Sequence, residues 1–310
     1  MKKSLQSFLA DDNKEIFYYK WLPDNPGDIK AAIQVAHGMA EHAGRYEDFA
    51  AYFTGQGFAV YANDHRGHGK TAGSVDEVGF VSVKNGWEIM VKDLKSMSDI
   101  IKSENNSKPL FILGHSMGSF LLRDYLFTYP DTINGAALSG TSAGAGFMGK
   151  IGKIICSREI KKKGIRTRSP LLDNLSFGKY NSYFKPNRTK FDWLSHNEEN
   201  VDEYIADPYC GGIFSAGFFR DLINGIEKIS NFKNILLIPK LTPIFFMSGE
   251  KCPVGNFKKG VEKVYNSYKK AGLKNVKLKF YEGMRHEILN ETEKYKVYKD
   301  IEEWIFQITD

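Results

Sequence analysis

The 310-residue sequence is poor in cysteine and contains no long hydrophobic run. Its three cysteines, Cys156, Cys210 and Cys252, are an odd number without a C-x-x-C pair, so we expect neither a disulfide framework nor a zinc site. A membrane-spanning helix needs about 18 apolar residues, whereas the longest stretches here are ILLIP and PIFFMSG. The first residues also lack the apolar region of a signal peptide. We therefore expect a protein of the reducing cytoplasm.

A strong excess of charge is also missing. The 43 Lys and Arg residues against 37 Asp and Glu give a net charge of +6. The densest basic cluster is Lys161–Lys163 with Arg166 and Arg168, which has the character of a solvated loop. Nucleic-acid-binding domains concentrate basic charge far more strongly, so we expect no nucleic-acid partner. A transient contact with an anionic membrane surface is a second interpretation of the cluster, since each basic residue there can contribute about 1 kcal/mol.

Short apolar runs alternate with segments of helical periodicity. This alternation is typical of a mostly parallel sheet with helices on both faces, so the predicted fold class is α/β. The predicted strands are 31–37, 57–63, 109–113, 133–139, 242–248 and 276–282, preceded by a hairpin of 3–9 and 15–21. The predicted helices are 45–56, 85–103, 116–129, 256–271 and 292–308.

The alternation stops between residues 141 and 235. This segment has a glycine-rich start, then the basic cluster, then many aromatic residues. We predict a core formed by 1–140 and 236–310, with 141–235 inserted as a cap. The aromatic residues either form a small core of their own or line a hydrophobic pocket, and both can hold at once.

Gly114–Gly118 reads GHSMG and matches the G-x-S-x-G nucleophile elbow. It directly follows a predicted buried strand and directly precedes a predicted helix, which is the setting that the elbow requires. Ser116 is therefore the candidate nucleophile. A serine hydroxyl is a weak nucleophile and needs a neighbouring base.

His286 lies in the loop after the last predicted strand, at the edge of the sheet where the elbow is expected. It also follows Ser116 in the chain, and the order serine, acid, histidine is the one expected with this elbow, which makes His286 the candidate base. The backbone N–H groups of Met117 and Met39 are the candidate oxyanion donors. We expect the other histidines near these motifs to be structural hydrogen-bonding residues: His37, His65, His68 and His115. H-E-x-x-H, P-loop and G-x-G-x-x-G contexts are missing, so neither metal nor cofactor is expected.

Five segments together resemble the monoacylglycerol lipase and lysophospholipase group of α/β-hydrolases, also described as serine aminopeptidase-like: HGMAEHAGRYEDFA, YANDHRGHGKT, GHSMGS, DPYCGG and YEGMRHEILNE. The resemblance runs from about residue 15 to 305 and is loosest in the insertion. It implies an α/β-hydrolase fold with Ser116 as nucleophile and His286 as base. It also implies a cap that admits one acyl chain, and a lipid-like or small ester as substrate.

One position departs from this group, whose triad acid is an Asp in S-G-x-x-D-P-V-G. Ser248–Gly255 reads SGEKCPVG, so Cys252 occupies the place of the acid. Making the acid neutral costs serine proteases about 10⁴ in turnover. Three interpretations remain: Glu250 reaches His286 instead; the chain is a slow hydrolase or is altered at this position; or Cys252 acts as a thiolate or redox-sensitive partner of the imidazole.

The sequence thus predicts a serine hydrolase that cleaves carboxylic esters of monoacyl lipids through an acyl-enzyme. Activity should fall below the pKa of His286, whose reference value is about 6.5. The alternatives are a catalytically weakened lipid-binding protein on the same fold, and an amidase or peptidase with the same nucleophile. A dehalogenase or epoxide hydrolase would need Asp at position 116.

Overall fold

The computed structural model describes residues 1–25, 27, 29–106, 108–144 and 147–309, without the side chains of residues 147, 148 and 150. Two residues of the predicted insertion, Ala145 and Gly146, lie outside this description. Eight strands form one sheet in the order β1-β2-β4-β3-β5-β6-β7-β8. They are β1 (Lys2–Leu9), β2 (Glu15–Leu22), β3 (Ala31–Ala36), β4 (Phe58–Asn63), β5 (Leu110–His115), β6 (Gly135–Ser139), β7 (Ile244–Gly249) and β8 (Val276–Tyr281).

The strands β3 to β8 run parallel to one another. Strand β2 pairs antiparallel with β4, and β1 pairs antiparallel with β2 at the edge of the sheet. Every residue of β3 to β7 is buried, which explains why these strands are continuously apolar in the sequence. The α/β fold class is confirmed, and the predicted strands lie within one or two residues of their observed bounds.

Helices cover both faces of the sheet. A hydrophobic core lies between the helices and the sheet on each face. Alternate residues of β7 belong to the two cores: Phe245 and Met247 to the first, Ile244 and Phe246 to the second. The first core includes α1 (Glu47–Gly55) and α10 (Lys294–Thr309). The second includes α2 (Gly86–Glu104), α3 (Met117–Thr128) and α9 (Lys259–Lys270).

Five further helices lie in the chain between β6 and β7, in the segment predicted to be inserted. They are α4 (Phe147–Lys163), α5 (Pro170–Phe177), α6 (Glu198–Ala206), α7 (Ala216–Ser230) and α8 (Phe232–Ile235). Helix α7 rests on the core, where Lys228 Nζ and the indole N–H of Trp87 both contact the carboxylate of Asp124, at 2.9 and 2.7 Å. This contact joins helix α7 to helices α2 and α3.

The prediction of a loop for the basic cluster is wrong for Lys161–Lys163, whereas Arg166 and Arg168 do lie in the connection between α4 and α5. Lys161–Lys163 form the last turn of α4, where positive charge is favourable for the helix dipole. Arg166 lies over the ring of Phe80 at 4.0 Å, and Arg168 donates to backbone carbonyls of 75–78. Among the described residues no helix is long and apolar enough to cross a bilayer.

Candidate active site

Ser116 lies in the sharp turn between β5 and α3. Its φ of 51° is in the left-handed region, which is uncommon for a residue with a side chain and indicates a strained backbone. The turn passes very close to β3: a Cβ on Gly118 would lie 1.9 Å from the carbonyl oxygen of Ala36. Only glycine fits there, so the motif glycine is required by packing. The turn places the Ser116 side chain at the wall of a cavity.

His286 lines the same cavity, in the loop between β8 and α10, and is 2% exposed. Its ring packs against Trp193 of the insertion at a centroid distance of 5.2 Å and against His115 at 4.7 Å. The structure thus brings Ser116 and His286 to one cavity wall. Among the described residues no hydrogen bond joins them, and such catalytic contacts often close only when substrate is bound.

Cys252 contacts His286 directly. Its Sγ lies 3.1 Å from Nδ1, the ring nitrogen that a triad acid would hold, and the side chain is fully buried. Burial raises the pKa of the thiol to about 11, so it is neutral at pH 7. The expectation of a thiolate partner is therefore corrected: the group beside His286 is an uncharged thiol, a weak hydrogen-bonding partner.

Glu250 does not take the place of the acid. Its carboxylate accepts a hydrogen bond from Lys258 Nζ at 3.1 Å and is about one-third exposed. The side chains at 250 and 252 leave the turn after β7 in different directions, and only that of Cys252 reaches the imidazole. This corrects the expectation that Glu250 reaches His286.

The pKa of His286 lies well below 6.5. Burial in apolar surroundings is the main cause, the neighbouring His115 adds to it, and Glu287 opposes it. A lowered pKa keeps the imidazole neutral, and able to accept a proton, at pH values well under 6.5. We therefore expect activity to fall at a pH lower than the 6.5 expected from the sequence.

The amides of Met39 and Met117 belong to residues that line the cavity on either side of Ser116. Neither N–H donates a hydrogen bond within the described part of the chain. The loop of Met39 is held by the N–H of Gly38, which donates to Glu41 Oε1 at 2.6 Å. Two such amides beside a serine hydroxyl can donate hydrogen bonds to the oxyanion of a tetrahedral intermediate.

The remaining histidines form hydrogen bonds below this site. His37 Nε2 accepts from the N–H of His65 at 2.9 Å, His68 Nδ1 lies 2.9 Å from the carbonyl oxygen of Arg66, and His115 Nδ1 lies 3.2 Å from Ser139 Oγ. Burial lowers the pKa of all four rings, including His37, so that they are neutral at pH 7.

One group of side chains has the proximity of a metal site. The ligand atoms of His42, Asp207 and Cys210 lie within 4.8 Å of one another. However, His42 Nδ1 accepts from the N–H of Gly44 at 3.1 Å, so the ring proton is on Nε2, which donates to Asp207 at 2.8 Å. A metal would need that nitrogen unprotonated, so the geometry favours a hydrogen-bonded pair.

A buried ionic cluster, not predicted from the sequence, lies beside the site. Arg45 donates to Glu41 at 2.9 Å and to both oxygens of Glu287 at 2.8 Å. Asn200, from α6 of the insertion, bonds to both Arg45 and Glu287. The spacing of Glu41 and Arg45 and the position of Glu287 next to His286 are visible in the sequence, but their meeting is not.

The cavity has a volume of about 810 Å³, in the range typical of small-ligand sites. Ser116 and His286 lie at one wall, and most of the remaining wall is apolar and comes from the insertion. These apolar residues are Ile151, Ile155, Leu172, Phe177, Tyr180, Phe191, Trp193, Phe219, Leu222, Ile223 and Ile226.

Comparison with known proteins agrees with this geometry. The profile of the family described as serine aminopeptidase, S33, matches residues 27–293. A monoacylglycerol lipase of Mycolicibacterium smegmatis is 30% identical over 309 residues, 98% of this chain and 97% of that protein. Human monoglyceride lipase is 28% identical, covering 99% and 92%. A carboxyl esterase from Bacillus coagulans, solved with glycerol, has 26% identity and a TM-score of 0.91 over 100% of both chains. The chain belongs to the serine aminopeptidase S33 family of α/β-hydrolases and is similar to its monoacylglycerol lipases.

Proposed function

We propose that the protein hydrolyses carboxylic esters of monoacyl lipids through an acyl-enzyme on Ser116. The observation that carries the proposal is the shared cavity, which the elbow serine, a neutral imidazole and the residues Met39 and Met117 line together. Their two amides make no hydrogen bond among the described residues. The names of the similar proteins, monoacylglycerol lipase and monoglyceride lipase, point to the same substrate class.

In this mechanism His286 takes the proton of Ser116 as the oxygen attacks the ester carbonyl. The N–H groups of Met39 and Met117 hold the resulting oxyanion. His286 then protonates the leaving alcohol, and afterwards removes a proton from the water that cleaves the acyl-enzyme. Cys252 offers the imidazole a neutral contact in place of a carboxylate, so the reaction is slower than with an acid there.

The segment 141–235 acts as the cap in this proposal. Its apolar side chains provide most of the cavity wall, and each buried methylene of an acyl chain would gain about 0.8 kcal/mol. Leu175 both lines the cavity and is 56% exposed, which places an opening beside α5. The three cysteines are free thiols, in keeping with a reducing cytoplasm.

Turnover of matched substrates tests the function. The four substrates carry the same acyl group, as a monoacylglycerol, a lysophospholipid, a diacylglycerol and an anilide. We expect hydrolysis of the two monoacyl esters, at least about tenfold slower hydrolysis of the diacylglycerol, and no hydrolysis of the anilide. Stoichiometric retention of the lipid without product would instead favour a binding protein. Cleavage of the anilide at a comparable rate would favour an amidase.

Transient contact with anionic membranes is a further part of the proposal. The insertion exposes Ile154, Leu171 and Leu175, and Ile154 lies beside Lys153, Arg158 and Lys161. Turnover of a monoacylglycerol in anionic vesicles should exceed that in zwitterionic vesicles several-fold at low salt, and the difference should shrink as salt screens the charges. Equal rates in both vesicles at low salt would contradict this contact.

A further inference from the structure

The ionic cluster of Arg45, Glu41 and Glu287 carries an excess of negative charge. Two carboxylates share one guanidinium, so the cluster has a formal charge of −1, and all three side chains are at most 10% exposed. The Arg45 guanidinium beside Glu287 holds the pKa of that carboxyl far below its usual range, so Glu287 stays ionised. A buried anion of this kind is costly unless hydrogen bonds compensate it.

Neutral donors provide that compensation. Glu41 accepts from the N–H of Gly38 at 2.6 Å and from the Tyr46 hydroxyl at 3.0 Å. Glu287 accepts from Asn200 Nδ2 at 2.8 Å in addition to Arg45. Both carboxylates are therefore held in place by several hydrogen bonds, at a wall that Glu41 and Glu287 share with Ser116 and His286.

Glu287 is the chain neighbour of His286, and both residues line the same cavity. Within the described part of the chain, the other titratable groups that contact the imidazole are Cys252, a neutral thiol, and His115, a neutral ring. The guanidinium of the preceding Arg285 is turned away, since it donates to the carbonyl oxygen of Ser195 at 3.1 Å and lies over Phe184. The influence of Glu287 opposes the effect of burial on His286.

We propose that this anionic cluster supplies His286 with the negative charge that a triad carboxylate would supply, and that Glu287 is the positioning residue through which it acts. The inference rests on the proposed function, since it assigns Glu287 a role in making the imidazolium of that reaction. A fixed charge in a buried, weakly screened site favours the charged form of a neighbouring base. It needs no direct hydrogen bond to the ring, which explains how a chain with a thiol at position 252 keeps a usable base.

Two substitutions separate charge from shape. Glu287→Gln keeps the shape and removes the charge, whereas Glu287→Asp keeps the charge and shortens the side chain. We expect Glu287→Gln to lower kcat about tenfold with KM within about twofold. Removing a negative charge destabilises the imidazolium, so the acid-limb midpoint of kcat/KM should move down by about one pH unit, whereas Glu287→Asp should keep the parent midpoint.

Asp93→Asn is the matched control. Asp93 is also a buried carboxylate on an arginine, Arg66, that holds a second carboxylate, Asp12. Asp93→Asn should leave the acid-limb midpoint of kcat/KM unchanged. A midpoint unmoved by Glu287→Gln, or moved more by Glu287→Asp, would overturn the inference and leave Glu287 a structural residue. If Glu287→Gln does not fold, Glu41→Gln removes one charge from the same cluster and must lower the midpoint.

An NMR titration of the His286 ring measures its pKa and tests the inference without a turnover assay. A lower ring pKa in Glu287→Gln than in the parent supports it, and an unchanged one overturns it. Absence of all ester hydrolysis would refute the proposed function alone, because the ring titration does not depend on it.

Discussion

Replacing Cys252 with Asp should raise kcat on a soluble monoacyl ester by about 10²- to 10⁴-fold, the range set by the cost of a neutral group in this place. Cys252 Sγ lies 3.1 Å from Nδ1 of His286 and is fully buried, so a carboxylate there would reach the ring. It would accept a hydrogen bond from Nδ1–H, leave Nε2 free to take the proton of Ser116, and stabilise the imidazolium. If the thiol instead donates to Nδ1, Nε2 carries the ring proton and the base is blocked.

The turn around Cys252 suits a carboxylate. The backbone amides of Val254 and Gly255 face the side chain at 252 and favour its negatively charged form. These donors offset part of the cost of burying a charge, so Cys252→Asp should fold. A carboxylate beside the imidazole favours its protonated form, so the acid-limb midpoint of the pH profile should move up.

Two variants complete this experiment, read as kcat and as the pH profile of kcat/KM. The amide oxygen of Cys252→Asn can accept a hydrogen bond from Nδ1–H without adding charge, so this variant should gain clearly less than Cys252→Asp. Glu250→Gln should change kcat by less than about twofold, because that carboxylate is paired with Lys258. The account of the triad is wrong if Cys252→Asp is no faster than the parent, or if Glu250→Gln loses tenfold or more.

Features encoded in contiguous residues were predictable from the sequence. The elbow around Ser116 is one, because a G-x-S-x-G motif after a buried strand leaves the backbone few alternatives. The position of His286 is another, because loops after parallel strands meet at one edge of the sheet. Both side chains line the same cavity in the structure.

Features that depend on side-chain direction or on distant segments were not predictable. Glu250 and Cys252 share a turn, and only three-dimensional geometry shows which of them faces the imidazole. The partners in the Arg45 cluster are separated by up to 242 positions, and Asn200 comes from the variable insertion. The sequence predicts a loop at Lys161–Lys163 because consecutive charges there hide the weak periodicity of α4.

Replacing Ser116 with Ala should abolish ester turnover and labelling by a fluorophosphonate. Without the hydroxyl no acyl-enzyme forms, and loss of the nucleophile costs subtilisin about 10⁶ in kcat. In this chain the measurable loss cannot exceed the activity of the parent. The comparison is therefore sharpest between Cys252→Asp and the double variant that also carries Ser116→Ala, where we expect kcat to fall at least about 10⁴-fold.

The Ser116→Ala variant should keep its fold, because the Ser116 hydroxyl makes no hydrogen bond among the described residues and alanine retains the Cβ. Ser119→Ala is the matched control, one turn along α3. Its hydroxyl donates to the carbonyl oxygen of Ser116 at 2.6 Å, so its loss should cost about 1 kcal/mol of stability and leave labelling intact. Labelling that persists in Ser116→Ala, or disappears in a folded Ser119→Ala, would place the nucleophile elsewhere. Full loss in Ser116→Ala at unchanged thermal stability would assign the chemistry to the one hydroxyl that the strained turn presents to the cavity.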